Sequence, residues 1–166
     1  MSQVAPFRVT ALDSDLDRTG FSSGVAPLDS YFKTQVSQDI KRRVTACFVA
    51  LTPDQHIAGY YTLSSASVGL GDLPATLAKK LPRYPFVPTV RMGRLAVDQH
   101  FKGQGLGAAL LADALAHAAR SEIAAYALLV DATDEVAADF YRHHGFENLP
   151  NQALILFLPL ASVRTL

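Results

Sequence analysis

Val90-Arg91-Met92-Gly93-Arg94-Leu95-Ala96-Val97, then Asp98-Gln99-His100-Phe101, then Lys102-Gly103-Gln104-Gly105-Leu106-Gly107, is the stretch that decides the fold. Thr89 to Val97 reads as a strand, and the glycine segment that follows opens a helix running to about Arg120. Leu106, Leu110, Leu111, Leu115 and Ala118 give that helix its apolar face. In a strand–glycine loop–helix junction, successive backbone N–H groups converge and the helix dipole adds partial positive charge. A phosphate ester suits that environment. Gly105 and Gly107 let a ligand approach the backbone, and Lys102 can neutralise phosphate. The dinucleotide fingerprint needs a third glycine where Leu110 stands, and the lysine–serine pair of the nucleotide P-loop is missing. The ligand therefore falls outside those two classes. By itself, the loop is equally compatible with an ordinary glycine turn.

Upstream, Phe7 to Ala11 reads as a short strand. Val25, Leu28, Tyr31, Phe32, Val36 and Ile40 recur at helical spacing, so Pro27 to about Lys41 is expected to form one amphipathic helix. Ala46 to Leu51 and Ile57 to Ser67 form a hairpin around a turn at Thr52-Pro53-Asp54-Gln55. Pro74 to Lys80 is a short helix, and Pro82, Pro85 and Pro88 keep the next segment extended. Downstream, Ala127 to Val130 is a strand, and Asp131, Asp134 and Glu135 crowd the start of another helix, where the dipole favours them. That helix ends at Gly145, and Leu154 to Leu160 is the last strand. The order predicts an α/β (α+β) fold: one domain over residues 1–166, with a mixed central sheet and helices on both faces.

The chain has 166 residues, 15 Lys plus Arg against 15 Asp plus Glu, and no net charge. That balance argues against a surface uniformly coated with basic charge for polyanions, while leaving room for a local patch. Cys47 is the only cysteine and lies in an apolar run, so neither a disulfide within the chain nor a Cys-rich metal site is expected. No metal site is expected. No secretory signal or apolar stretch of membrane-spanning length is evident, which points to a cytoplasmic protein without a membrane segment.

The loop has a companion. The segment containing it resembles motif A of the GNAT acetyltransferase superfamily, whose loop reads Arg/Gln-x-x-Gly-x-Gly/Ala. Ala137-Ala138-Asp139-Phe140-Tyr141-Arg142-His143-His144-Gly145-Phe146 resembles the second motif of the family, in which a helix ends Phe-Tyr and then Gly-Phe. The two stretches, 89–120 and 127–146, stand in the family's order. Phe21-Ser22-Ser23-Gly24, Leu28-Asp29-Ser30-Tyr31-Phe32, Arg43 to Val49, Leu81-Pro82-Arg83-Tyr84-Pro85 and Gly93 to Asp98 extend the likeness to GNAT toxins of bacterial toxin–antitoxin modules. In two places the chain departs from the pattern: Lys102 replaces the usual arginine or glutamine, and Asp134 stands where many members have asparagine, which raises the prospect of a helix cap instead of a pantetheine contact.

The resemblance implies acetyl-CoA as cosubstrate. Leu95, Ala96 and Val97 would hold pantetheine through backbone, and Lys102, Gly103, Gln104, Gly105, Leu106, Gly107 and Ala108 would cradle the pyrophosphate. Asp134 and Phe140 are further cofactor contacts. Tyr141 is the candidate acid for the departing thiolate, because a phenol with a pKa near ~10 is protonated at neutral pH. Phe140 beside it allows one ring to pack while the other points into a cleft. His143 and His144 are bases by residue type, yet their place next to Gly145 fits a helix C-terminus better. The resemblance further implies acetylation of the α-amine of aminoacyl-tRNA and a ribbon–helix–helix antitoxin as partner, with a homodimer possible. An α-amine titrates near ~7.7–8.0 and needs no strong base. Lys41, Arg42, Arg43, Arg83, Arg91 and Arg94 are the candidate tRNA contacts, helped by Lys79 and Lys80, while Tyr84 and Phe86 offer stacking surfaces. Arg91 and Arg94, three residues apart on one strand, face opposite sides. The alternatives are a small-molecule amine acetyltransferase and a catalytically degenerate acyl-CoA-binding module.

Overall fold

A computed structural model describes residues 7–163. The elements are β1 (Arg8–Ala11), α1 (Ala26–Thr34), α2 (Val36–Lys41), β2 (Ala46–Leu51), β3 (Ile57–Gly69), α3 (Ala75–Ala78), β4 (Phe86–Val97), α4 (Leu106–Arg120), β5 (Ala127–Asp131), α5 (Glu135–His143), β6 (Glu147–Asn148) and β7 (Ile155–Pro159). The sheet has seven strands in the order β1-β2-β3-β4-β5-β7-β6. β4 and β5 run parallel, from Thr89 opposite Ala127 to Met92 opposite Val130, while β5–β7 and β6–β7 are antiparallel. The expected mixed sheet is present.

Two compact units emerge among the described residues: 7–63 with 94–114, and 64–93 with 115–163. In the first, Phe21, Tyr31, Phe32, Val36, Cys47, Val49, Leu51, Ile57, Tyr60 and Ala96 form the core. The rings of Phe32 and Tyr60 stack with centroids 4.2 Å apart. Gly59 is obligatory here, because a Cβ would come within 2.8 Å of Leu110 and 2.9 Å of the Ala96 carbonyl. In the second unit, Val68, Leu73, Val87, Ala127, Leu129, Leu149 and Phe157 form the core.

The sequence departs from expectation at Gln35. The predicted helix from Pro27 to Lys41 is two helices, because Gln35 adopts φ −127° and breaks the run between α1 and α2. Phe32 and Val36 nonetheless share the first core, so the apolar face survives the break. Val25 does not belong to that face: it precedes α1 and is 39% exposed. The two-residue strand β6 is also unannounced by the sequence.

Cys47 is buried on β2, and burial pushes its thiol up to about 12, so it stays protonated and inert at neutral pH.

Candidate active site

In the first unit, the site begins where β4 ends. Arg94 lies with its guanidinium 3.4 Å from the centroid of the Tyr31 ring, and the Tyr31 hydroxyl donates to Asp39 at 2.7 Å. Ala96 is buried. Asp98 is buried too, at 4% exposure, and accepts three hydrogen bonds of 2.9 Å: from the N–H of Ser22, the N–H of His100 and the His100 ring. Burial alone would raise its carboxyl, but the N–H bonds from Ser22 and His100, with the His100 ring, outweigh it and hold Asp98 below the ordinary carboxylate value. The His100 N–H bond caps a short 3-10 turn, Gln99–Phe101.

Lys102 follows. Its ammonium donates to the Ser23 carbonyl at 2.7 Å, and the Gln99 N–H donates to the Ser22 carbonyl at 2.8 Å. Ser23 is fixed in turn by Asp29, which accepts from its hydroxyl at 2.6 Å and its N–H at 2.9 Å. Residues 22–23 thus clasp the 98–102 segment at both ends. The Lys102 ammonium is tied to a protein carbonyl while its charge remains beside the loop.

Gly103 and Gly105 have φ of +80° and +79°, the left-handed region that glycine adopts without strain. A Cβ added at either would meet no heavy atom within 4 Å. Their necessity is conformational, and the space around them is open. Gly105 immediately precedes α4, and Gly107 is its second residue. The first intrahelical bond comes from the Ala109 N–H to the Gly105 carbonyl, at 3.1 Å, so the N–H groups of the first turn have no acceptor within the helix. No acidic residue stands in that turn. A cleft of about 510 Å³ in the same unit is lined by residues including Phe21, His56, Asp98, His100 and Phe101.

In the second unit, Asp134 caps α5: its Oδ1 accepts from the Ala137 N–H at 2.8 Å. That is the capping role foreseen for a carboxylate at this position. Tyr141 is 5% exposed and packs against Phe140 and Phe146, with centroids 5.3 Å and 5.7 Å away. Phe140 is half-buried, so of the two neighbouring rings Tyr141 goes deeper. Burial, then the negative charge of Asp131, raises the Tyr141 phenol above its ordinary value and keeps the proton on it. Gly145, at φ +94°, ends the helix; the Phe146 N–H returns to the Tyr141 carbonyl at 3.1 Å, and the His144 ring pairs with the Phe140 carbonyl at 2.9 Å. His144 is therefore a C-terminal helix partner. Arg142 joins Glu135 and Asp139.

The basic candidates separate by environment. Lys41, Arg42 and Arg43 are exposed at the end of α2, with Arg43 in the left-handed region at φ +60°. Lys79, Lys80 and Arg83 are exposed in the second unit. Arg91 is engaged by Asp131, through bonds of 2.8 and 2.5 Å, and Arg94 by the Tyr31 ring. Sequence reasoning missed Asp98 and its hold on Ser22. The available signal was an aspartate two residues before His100 at the start of a turn, but its partner lies 76 residues away. Among the described residues no group of three or more His, Cys, Asp or Glu is placed to hold a metal ion, and no helix is long and apolar enough to cross a membrane.

Comparisons with known proteins agree with this geometry. Residues 44–148 match the acetyltransferase (GNAT) domain model. The chain is 36% identical over 164 residues to a tRNA-acetylating toxin of Mycobacterium tuberculosis, covering 98% of this chain and 95% of that protein. It is similar to the structure of AtaT complexed with acetyl-methionyl-tRNAfMet, with 30% identity, TM-score 0.87, and coverage of 94% of this chain and 96% of that one. A mutant AtaT toxin bound to acetyl-CoA and the C-terminus of the antitoxin AtaR is 25% identical, TM-score 0.79, with 95% of each chain covered. A strand-fed glycine loop at a bare helix N-terminus, a helix carrying Phe140-Tyr141 in its last turn before Gly145-Phe146, and a near full-length relative together place this chain in the GNAT acetyltransferase family.

Proposed function

We propose that this chain transfers the acetyl group of acetyl-CoA to the α-amino group of aminoacyl-tRNA, and that it acts as a cytoplasmic toxin held in check by a ribbon–helix–helix antitoxin. The observation that carries the reading is the likeness to a tRNA-acetylating toxin over 98% of the chain. The residues present suit acetyl-CoA. Gly103 and Gly105 offer a left-handed backbone with open space above it, and α4 presents unpaired N–H groups with no acidic side chain in its first turn. Lys102 to Ala108 would hold the pyrophosphate, and the backbone of Leu95 to Val97 the pantetheine arm, with the Val97 N–H polarising the thioester carbonyl. When bound, acetyl-CoA supplies the acetyl group as an activated thioester.

Tyr141 would donate its phenolic proton to the leaving thiolate. Burial keeps the proton on the phenol at neutral pH. Phe140 supports Tyr141 by packing against it. Asp134 is occupied as a cap. Of the basic residues, Lys41, Arg42, Arg43 and Arg83 are exposed and suited to phosphate contacts, whereas Arg91 and Arg94 are already engaged. An esterified α-amine is substantially neutral in the cytoplasm, so no protein base is required. The two units serve as one acetyltransferase domain, and a homodimer is part of the proposal.

The test offers purified charged tRNAs, uncharged tRNA, polyamines and an aminoglycoside with labelled acetyl-CoA. Label should pass to charged tRNA alone. Transfer to a small amine at a much higher kcat/KM than to any charged tRNA would overturn the tRNA reading.

A further inference from the structure

Two large aromatic side chains stand in the open two residues apart in sequence. Tyr84 is 69% exposed and Phe86 65%. The backbone that carries them is pinned. Pro82 and Pro85 fix φ on either side of Tyr84. Leu81, with Leu77 and Ala78, packs on the second core, and the Leu70 N–H donates to the Pro85 carbonyl at 3.0 Å. Phe86 begins β4, and the next residue, Val87, is 6% exposed; alternation along the strand sends Val87 into the core and Phe86 away from it. The rings are thus presented to solvent by a rigid support.

The stretch of sequence that carries them is one-sided in charge. Between Asp72 and Asp98 the chain has no acidic residue and five basic ones, Lys79, Lys80, Arg83, Arg91 and Arg94, in a protein with zero net charge. Arg91 is taken by Asp131 and Arg94 by Tyr31, but Lys79, Lys80 and Arg83 are exposed in the same segment as the rings. Exposed rings and exposed cations on one acid-free stretch match unpaired RNA, whose bases stack on aromatic faces while its phosphates meet the charges. Duplex RNA offers no free base faces, and an apolar protein surface would desolvate three cations without compensation.

We propose that Tyr84 and Phe86 form a stacking platform for the unpaired 3′-terminal nucleotides of tRNA, with Lys79, Lys80 and Arg83 on the backbone phosphates. This rests on the aminoacyl-tRNA reading above and names the part of that substrate this surface recognises. Stacking tolerates any base, so the platform contributes affinity shared by all charged tRNAs and leaves the choice of amino acid to other residues.

The experiment measures fluorescence anisotropy of a labelled single-stranded RNA carrying the tRNA 3′-terminal sequence, and of a blunt duplex, against the full chain. Tyr84→Ala and Phe86→Ala each weaken single-strand binding about tenfold. Tyr84→Phe and Phe86→Tyr restore it, the duplex is little affected, and KM for charged tRNA rises in step while the Kd for acetyl-CoA stays. Both rings are exposed, so the variants keep the fold. Wild-type RNA affinity in the double alanine variant overturns the proposal. So does an altered oligomeric state by light scattering with RNA binding intact, which assigns the rings to a protein interface. If charged tRNA is not acetylated at all but single-strand binding still depends on the rings, the acceptor reading fails and the platform stands.

Discussion

β4 and β5 each lead into a helix N-terminus, and the two junctions are finished in opposite ways. Before α5, Asp134 turns its carboxylate onto the Ala137 N–H, and Glu135 adds a second negative charge in the first turn. The dipole there is answered by the chain itself. Before α4, the corresponding position is Gly105, which has no side chain, and no acid stands in the first turn. Its partial positive charge is not answered by an acidic side chain of its own first turn. A helix N-terminus is therefore not an anion site by virtue of being one; what matters is whether the sequence has already spent it. At the other end of α5, in the second unit, Tyr141, the proposed acid, sits buried beside the Gly145 turn.

The largest expected effect tests that last assignment. Tyr141→Phe should keep the fold and acetyl-CoA affinity but lower the single-turnover rate about 10²–10⁴-fold, since only the proton donor is removed. The phenol's raised pKa adds a pH criterion. An acid acts while protonated, so the wild-type rate should hold through the ordinary phenol range near ~10 instead of falling there. A wild-type rate in the phenylalanine variant would take α5 out of the chemistry. Next in size is Gly105→Glu, which brings a like charge to the bare N-terminus and should weaken acetyl-CoA binding by about 30-fold, or ~2 kcal/mol, in titration calorimetry. No atom lies within 4 Å of the new Cβ. Gly105→Asn, which tolerates the left-handed backbone without added charge, should therefore retain most of the affinity. Equal losses in both variants would make backbone strain, not charge, the cause. The smallest effect concerns the finished junction: Asp134→Ala should cost about 1 kcal/mol of stability by thermal melting and leave acetyl-CoA affinity intact. A tenfold drop in affinity would make both N-termini ligand sites and dissolve the contrast.

The glycine loop was legible because its conformational demands are written locally. Left-handed backbone at Gly103 and Gly105 calls for glycine at those two places, and a helix pattern follows at once. The Asp134 cap was equally legible, since its partner is three residues away. Gln35 was hidden because apolar spacing runs unbroken from Phe32 to Val36 and neither glycine nor proline marks the break. Arg91 and Arg94 looked like free cations for the same reason that Asp98 looked idle. Asp131, Tyr31 and Ser22 reach them only through the tertiary fold, across separations that periodicity and motif spacing do not sample.

The clasp formed by Asp98 and Lys102 also bears on how the protein comes into being. Its two ends join residues 76 and 79 positions apart in sequence. Closing a chain segment of that length carries an entropic cost that no local turn repays, so the loop acquires its shape with the global fold and not ahead of it. During synthesis the Ser22–Ser23 half is made first and waits, without its partners, until β4 and the glycines after it have left the ribosome. The loop then takes its held shape together with the rest of the fold, and a truncated chain ending before residue 98 lacks every bond of the clasp.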